Sequence, residues 1–513
     1  MLQPGFEVFA RSAVTLTRND FHINATRGAR AGSAVELVSR LLPVLICGLA
    51  LCLAASGSAR AADASATDAG TPAAVADAPL TTSTGGKVEG GGLTWNGVTL
   101  YGVIDAGAAH QTHGAHLNFD SPQGLNYLIA KSSNNATTSL APNGLGPSAI
   151  GLSGDIPVSA TVSAIFKLEN GFDPLALRPT NGPQSLVANN GRALNTQTSN
   201  NDSSQAGQIF NSVGYVGFKA TDFGALTYGR NMGLLADKVY EYDPNGASYA
   251  FSAAGGVGAI RGLGDTQDSR LDSSFKYTDK IGPYHVGLQY QLSGKQYALI
   301  QEDGVSGSAV EIDLGGDFGN FSADAVYSHK NDAISAAPLT AAQMLKLPVN
   351  SLSATVSDNT SYTLAGKYTL DRARLYAGYE RIEFSNPSSP LTVGVTDVGR
   401  YILSALTQNA YTVKRIEQVY WTGVKYSLTP SLDLTGAYYG YSQNSYAGNG
   451  CADTSSSKCS GRLNAASVVA IYNVAKHWDI YGGAMWSGVK NGLASGYLNT
   501  SNLNTMVGGR FSF

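Results

Sequence analysis

The sequence predicts an all-β protein, a closed 16-stranded antiparallel transmembrane β-barrel. Three observations carry that expectation. Apolar and polar residues alternate with period two in about 16 segments between residues 97 and 513, the mark of strands with one apolar and one wet face. The connections alternate too, short turns with segments of about 12 to 40 residues, as in an even-stranded outer-membrane barrel. Only 14% of the residues are charged, against 60 glycines and 27 tyrosines, well below the usual quarter for a soluble protein.

Taken in order, residues 1–61 read as a long leader ending in a signal peptide. The apolar run Leu41 to Ala55 follows Arg40 and precedes an Ala59-Arg60-Ala61 triplet, which places cleavage near Ala61. A run of about 15 residues is short for a spanning helix, which needs roughly 20. Ile46 and Leu51 precede Cys47 and Cys52, so the small residue of a lipid-anchor signal is absent. Removing this leader takes the net charge from −3 to about −6. With no basic block, nucleic acid is excluded as a partner. Residues 62–93, rich in Ala, Thr, Asp and Gly and ending in GGKVEGGG, read as a flexible periplasmic extension.

Residues 94–513 carry the barrel. Strands are expected near 97–109, 147–155, 158–171, 208–219, 224–231, 270–279, 283–295, 306–316, 320–330, 359–370, 372–384, 417–428, 431–444, 463–474, 477–489 and 502–513. In YHVGLQYQLS, Tyr284, Val286, Leu288, Tyr290 and Leu292 face one way and His285, Gly287, Gln289, Gln291 and Ser293 the other. A soluble sandwich of this many strands would split into domains, yet no linker interrupts 97–513. In lipid an open edge is not tolerated, so the sheet must close. The ending VGGRFSF alternates in the same way, with Phe513, Phe511, Gly509 and Val507 outside. It is expected to pair with the first strand.

Parity also sorts the charges. Lys167 and Glu169 face the lumen if Phe166 and Leu168 face lipid. Arg270, Asp272 and Lys276 face in if Leu271, Phe275 and Tyr277 face out, and Asp105, Lys367, Lys425 and Arg510 follow the same rule. A charge on the lipid face at the midplane costs about 2–4 kcal/mol, so inward placement is the default. Cys451 and Cys459, the cysteines left after the leader, read as a short loop disulfide. His110, His113 and His116 in HQTHGAH have no acidic or Cys partner at ligand spacing, so no metal and no cofactor is expected. With seven histidines in all and no nucleophile–base pattern, the chain reads as no enzyme.

Several stretches resemble the trimeric Gram-negative general porins. GVTLYGVIDAG (97–107) resembles their first strand and AIFKLENGF (164–172) their third. GQIFNSVGYVGFKATDFGALTYGRN (207–231) resembles their fourth and fifth, RLDSSFKY (270–277) their sixth, and FSF their last. The resemblance implies a homotrimer in the outer membrane of a Gram-negative bacterium, with lipid outside and the third long loop, 232–264, folded inward. It makes Asp243 beside Pro244 the first candidate for a constriction acid and Glu241 the second, with Arg261 as a matching basic position. Lys167, Glu169, Arg270 and Asp105 complete the constriction candidates. Arg230 is then expected at a subunit contact, reached by the second loop (173–206), and Phe513 as a signal for the barrel-assembly machinery. Val103, Ala149 and Ser212 stand where the family commonly has basic residues. The expectation is therefore a diffusion channel for small hydrophilic solutes and ions, weakly selective or cation-preferring. The alternative is a channel specific for one small organic solute, with Tyr101, Tyr439 and Tyr441 as inward aromatic candidates.

Overall fold

A computed structural model describes residues 92–513, except 116, 118–126, 132, 180–192, 194–208, 255–268, 293–306, 340, 348–351, 391–396 and 399–400. The predicted leader, nearly all of the predicted extension, Arg261 and His116 lie outside the described residues.

Sixteen strands form the wall: β1 Val98–Gln111, β2 Ser148–Pro157, β3 Val162–Asp173, β4 Val213–Ala220, β5 Gly224–Met232, β6 Arg270–Ile281, β7 Tyr284–Gln291 and β8 Ala309–Phe318, then β9 Phe321–Pro338, β10 Leu352–Leu370, β11 Ala373–Ser385, β12 Arg415–Thr429, β13 Leu432–Gln443, β14 Gly461–Ala475, β15 Trp478–Asn491 and β16 Ser501–Ser512. Each pairs antiparallel with the next, and β16 closes on β1 from Val103↔Ser512 to Gln111↔Asn504. Two-residue turns such as Gly282-Pro283 and Gly319-Asn320 close one end. Gly282 and Gly319 take φ of 61° and 65° there, a conformation that glycine adopts without steric cost. Longer connections cross the other end.

The alternation sets the outer face. Val216, Leu314, Leu364, Val468, Ile480 and Val507 are all more than half exposed, while the residues between them, such as Glu311, Asp324 and Asn504, are buried. An apolar exterior over a polar-studded interior is the inverse of a soluble fold and suits a barrel in lipid. The abundant Gly and aromatic residues have a shared cause. Rings lie flat across neighbouring strands where a glycine leaves room. Tyr101 covers Gly151, Tyr420 covers Gly440, Trp421 covers Gly378, Tyr481 covers Gly508 and Phe513 covers Gly102; a Cβ at each glycine would overlap the ring.

Three features differ from the sequence expectation. Thr137–Pro142, expected as loop, pairs with the upper half of β1 (Gln111↔Thr137 to Ala106↔Pro142). Asn143, at φ 59°, then breaks the strand before β2. Strands β9 and β10 run well past their predicted ends, to Pro338 and from Leu352. A bulge between Gly229 and Asn231 on β5, opposite Ser273 at φ 50° on β6, shifts the register. Parity therefore fails at 271–272: Leu271 is buried rather than outside, and the Asp272 side chain is 53% exposed.

Candidate functional site

After β5 the chain turns into the barrel as helix α1, Leu234–Tyr242. Its cap residue is Gly233, which offers no side chain. The wall supplies the missing acceptors: Gln289 Oε1 takes the Leu234 N–H at 3.1 Å and Glu311 Oε2 takes the Leu235 N–H at 3.2 Å. An acidic group at that end also suits the helix dipole. Leu234, Leu235, Ala236, Val239 and Tyr242 are buried. Helix α1 ends at Asp243, before Pro244, a residue type that disfavours helix at the preceding position.

The polar side of α1 is matched ion for ion. Lys238 Nζ lies 3.0 Å from Asp324, 3.5 Å from Asp313 and 3.4 Å from Glu241. Burial pulls the Lys238 amine down, but Asp313, Glu241 and Asp324 outweigh it and hold it above the ordinary lysine value, so it stays charged. Lys276 pairs with Asp237. Lys367 meets Glu241 at 2.9 Å and sits over the Tyr242 ring. The Tyr242 hydroxyl donates to Asp324, and the Trp421 indole N–H donates to the Tyr242 carbonyl at 3.0 Å.

Beyond α1 the loop continues around the interior. Asp243 accepts the Tyr439 hydroxyl at 2.7 Å and the Ala247 N–H at 2.6 Å. Burial pushes its carboxyl up to about 6, against those hydrogen bonds. Asn245 reaches Tyr439 and Ser467. The Ala250 N–H and Ser248 hydroxyl both donate to the Gly144 carbonyl. Asn504 donates to the Ala250 carbonyl at 3.0 Å, and Phe251 meets the Tyr481 ring edge-on. The seated loop thus touches the wall from β6 to β16. The first loop also enters: Ile129 N–H donates to Ser487, and Asn502 donates to the Tyr127 carbonyl.

The result is a closed barrel in lipid, with a long loop held inside by a charged helix and aromatic pins. The sequence profile of the Gram-negative porins matches residues 48–492. The chain belongs to the Gram-negative porin family. Among solved structures it is similar to the anion-selective porin of Comamonas acidovorans, at 17% identity and TM-score 0.54, over 81% of this chain and 99% of that one. It is also similar to OmpT of Vibrio cholerae (14%, TM-score 0.49, 82% and 99%) and to OmpF of Salmonella typhi in a complex with daunomycin (18%, TM-score 0.46, 82% and 99%). The comparison with curated proteins returned no match. This porin is an outer-membrane channel protein.

The porin's other predicted residues lie elsewhere on the wall and in its connections. Glu169 is buried and accepts the Tyr101 hydroxyl at 2.8 Å, with Lys167 3.9 Å away, on the inner wall. Asp105 is wholly buried and takes the Gly144 and Leu145 N–H groups and the Tyr481 hydroxyl, so it anchors the break at Asn143. In register, Arg510 stands opposite both Asp105 and Asp479. Lys425 pairs with Asp433 at 3.0 Å near the short turns. Arg270 donates to the Ser212 carbonyl and the Ser269 hydroxyl. Arg230 is held within its own chain by the Asn211 carbonyl and by Asp272 at 2.6 Å. His110 lies on the outer face of β1 beside Thr138, not in the first loop. Cys451 and Cys459 are bonded.

Sequence reasoning missed Lys238, Gln289, Glu311 and Trp421, the residues that seat the loop. It also expected a wet inner wall throughout. Instead Ile382, Phe384, Val419, Leu463, Val469, Met485 and Val489 form an apolar inner stretch packed on the loops. Runs such as SVVAIY on β14, apolar on both faces, carry that signal.

Proposed function

We propose that this porin is a water-filled diffusion channel for small hydrophilic solutes and ions, weakly selective or cation-preferring. The observation that carries the reading is the set of ion pairs between α1 and the wall: Lys238 of α1 with Asp313 and Asp324, and the wall cations Lys276 and Lys367 with Asp237 and Glu241 of α1. Among the described residues, cations paired in this way do not form the uncompensated run that concentrates anions. The Comamonas acidovorans porin is described as anion-selective. At its level of identity the likeness speaks for the fold, so the selectivity here rests on this chain's own charges. Tyr101, Tyr439 and Tyr441 each hold a partner, namely Glu169, Asp243 and Arg415, which argues against an aromatic track for one solute.

The same reading includes export by a signal within residues 1–61, a periplasmic segment over 62–93, and assembly as a homotrimer through the barrel-assembly machinery. Glu241, with a side chain 31% exposed, is the better placed constriction acid, and Asp243 a pin for the loop. Single-channel recording of the refolded protein tests both channel and trimer. Three equal conductance steps are expected, with a reversal potential of cation sign or near zero under a salt gradient. A strongly anion-selective potential, or a single step, sinks the corresponding half of the proposal.

A further inference from the structure

The outer wall carries a pair of cations with no acid to match them. Arg462 on β14 and Lys490 on β15 are direct register partners, both exposed. Their parity is that of Val468, Ile480 and Trp486, the lipid-facing residues of the same strands. They sit near the long-loop end, four residues above the Ala466↔Trp486 pair. Trp486 (44% exposed), Tyr438 (39%) and Tyr420 (41%) form an aromatic belt there, and such belts mark the membrane–water boundary. The pair therefore lies at headgroup depth, in the leaflet facing the long loops.

Like charges directly opposite each other on a sheet repel. Elsewhere on this rim the repulsion is relieved: Arg381 and Lys414 both pair with Glu383, at 3.0 and 2.9 Å. Around Arg462 and Lys490 it is not. Ser442 occupies the next register position on β13. No acidic residue lies in 440–443, 461–466, 486–491 or 501–504. Among the described residues neither cation has an ion pair. A doubly charged anion between them would turn the repulsion into two charge-assisted hydrogen bonds. At this depth the anion that the membrane itself supplies is a lipid phosphate.

We propose that Arg462 and Lys490, with Ser442 beside them and the Tyr438–Trp486 belt below, form a docking site for the phosphorylated headgroup of an outer-leaflet glycolipid. The acyl chains would lie along the apolar band beneath. This site is on the outside of the barrel and independent of what passes through it.

Native mass spectrometry of the refolded full chain in non-ionic detergent tests it, with diphosphoryl lipid A, its dephosphorylated form and inorganic phosphate as competitor. The expected result is retention of diphosphoryl lipid A, weakened on the order of tenfold when its phosphates are removed or when Arg462→Gln and Lys490→Gln are combined. Arg462→Lys keeps the charge and should keep most of the binding. Ser442→Glu leaves both cations in place but halves their net charge and sets a competing carboxylate beside Arg462, so it should weaken binding even if the double variant fails to refold. Millimolar inorganic phosphate should not displace the lipid. Lipid binding within twofold of wild type in the charge variants, or equal binding of the dephosphorylated lipid, overturns the proposal. So does loss of subunit assembly with lipid binding unchanged, which would make this face a contact between copies.

Discussion

Asp243 and Glu241 are two residues apart, yet the fold separates them. Glu241 stays partly exposed and shared between Lys238 and Lys367, while Asp243 is buried against Tyr439. Because burial lifts the Asp243 carboxyl to about 6, the seated loop binds this proton more tightly than a released loop would. Its contribution to seating is complete below the ordinary aspartate range and is lost as pH rises through about 6. Open-channel current noise should therefore grow between about pH 5 and 7 in the wild type and stay flat in Asp243→Asn. A pH-independent wild type would remove Asp243 as the titrating pin. Both acids were legible in sequence as acidic residues beside Pro244. What distinguishes them was not, because it depends on Tyr439 and Lys367, 196 and 126 residues away along the chain.

Among the elements, strands were legible wherever one face meets lipid, since lipid enforces the alternation on that face. Within β7 the predicted faces are the observed ones: Tyr284 is exposed while Gln289 and Gln291 are buried. Legibility failed where the rule has no purchase. The β5–β6 bulge is made at Gly229 (φ 137°) and Ser273 (φ 50°), and one glycine among 60 does not announce it; the inner faces of β11 to β15 carry apolar residues where loops pack on them. The seventh long connection was the easiest to read, since Cys451 and Cys459 leave no other pairing. Their bond lies in a connection that hydrogen bonds also hold: Gln443 donates to the Ser457 and Cys459 carbonyls, and Lys458 reaches the Ala410 carbonyl in the connection before it. Closing so short a loop is worth about 2–3 kcal/mol, confined to the connection itself. Changing both cysteines to serine should leave the barrel's thermal unfolding within a few degrees of wild type. Limited proteolysis should meanwhile cut within 444–460 several times faster. An unchanged cleavage rate would show that the hydrogen bonds alone order this loop.

For the whole molecule, closure is the step on which every strand depends. Each of the other fifteen seams joins neighbours in sequence, but β1 and β16 are the first and last wall strands along the chain, so their pairing carries the largest loop-closure entropy. The chain concentrates contacts there. Gly102 and Phe513 exchange backbone hydrogen bonds of 2.9 and 3.0 Å. The Phe513 ring covers Gly102 and stacks at 5.8 Å on Phe511, which in turn packs 4.7 Å from Trp478. Deleting Phe513 removes both hydrogen bonds and one ring of this stack, while the lumenal residues Arg510 and Asp105 keep their register positions. The deletion should therefore lower the yield of closed barrels, read as the fraction that keeps compact gel mobility without heating. Channels that do close should conduct as the wild type does. Gly102→Val, which displaces the same ring but leaves the terminus intact, should lower the yield in the same way. A normal yield in both variants would mean that the seam closes on its backbone ladder alone.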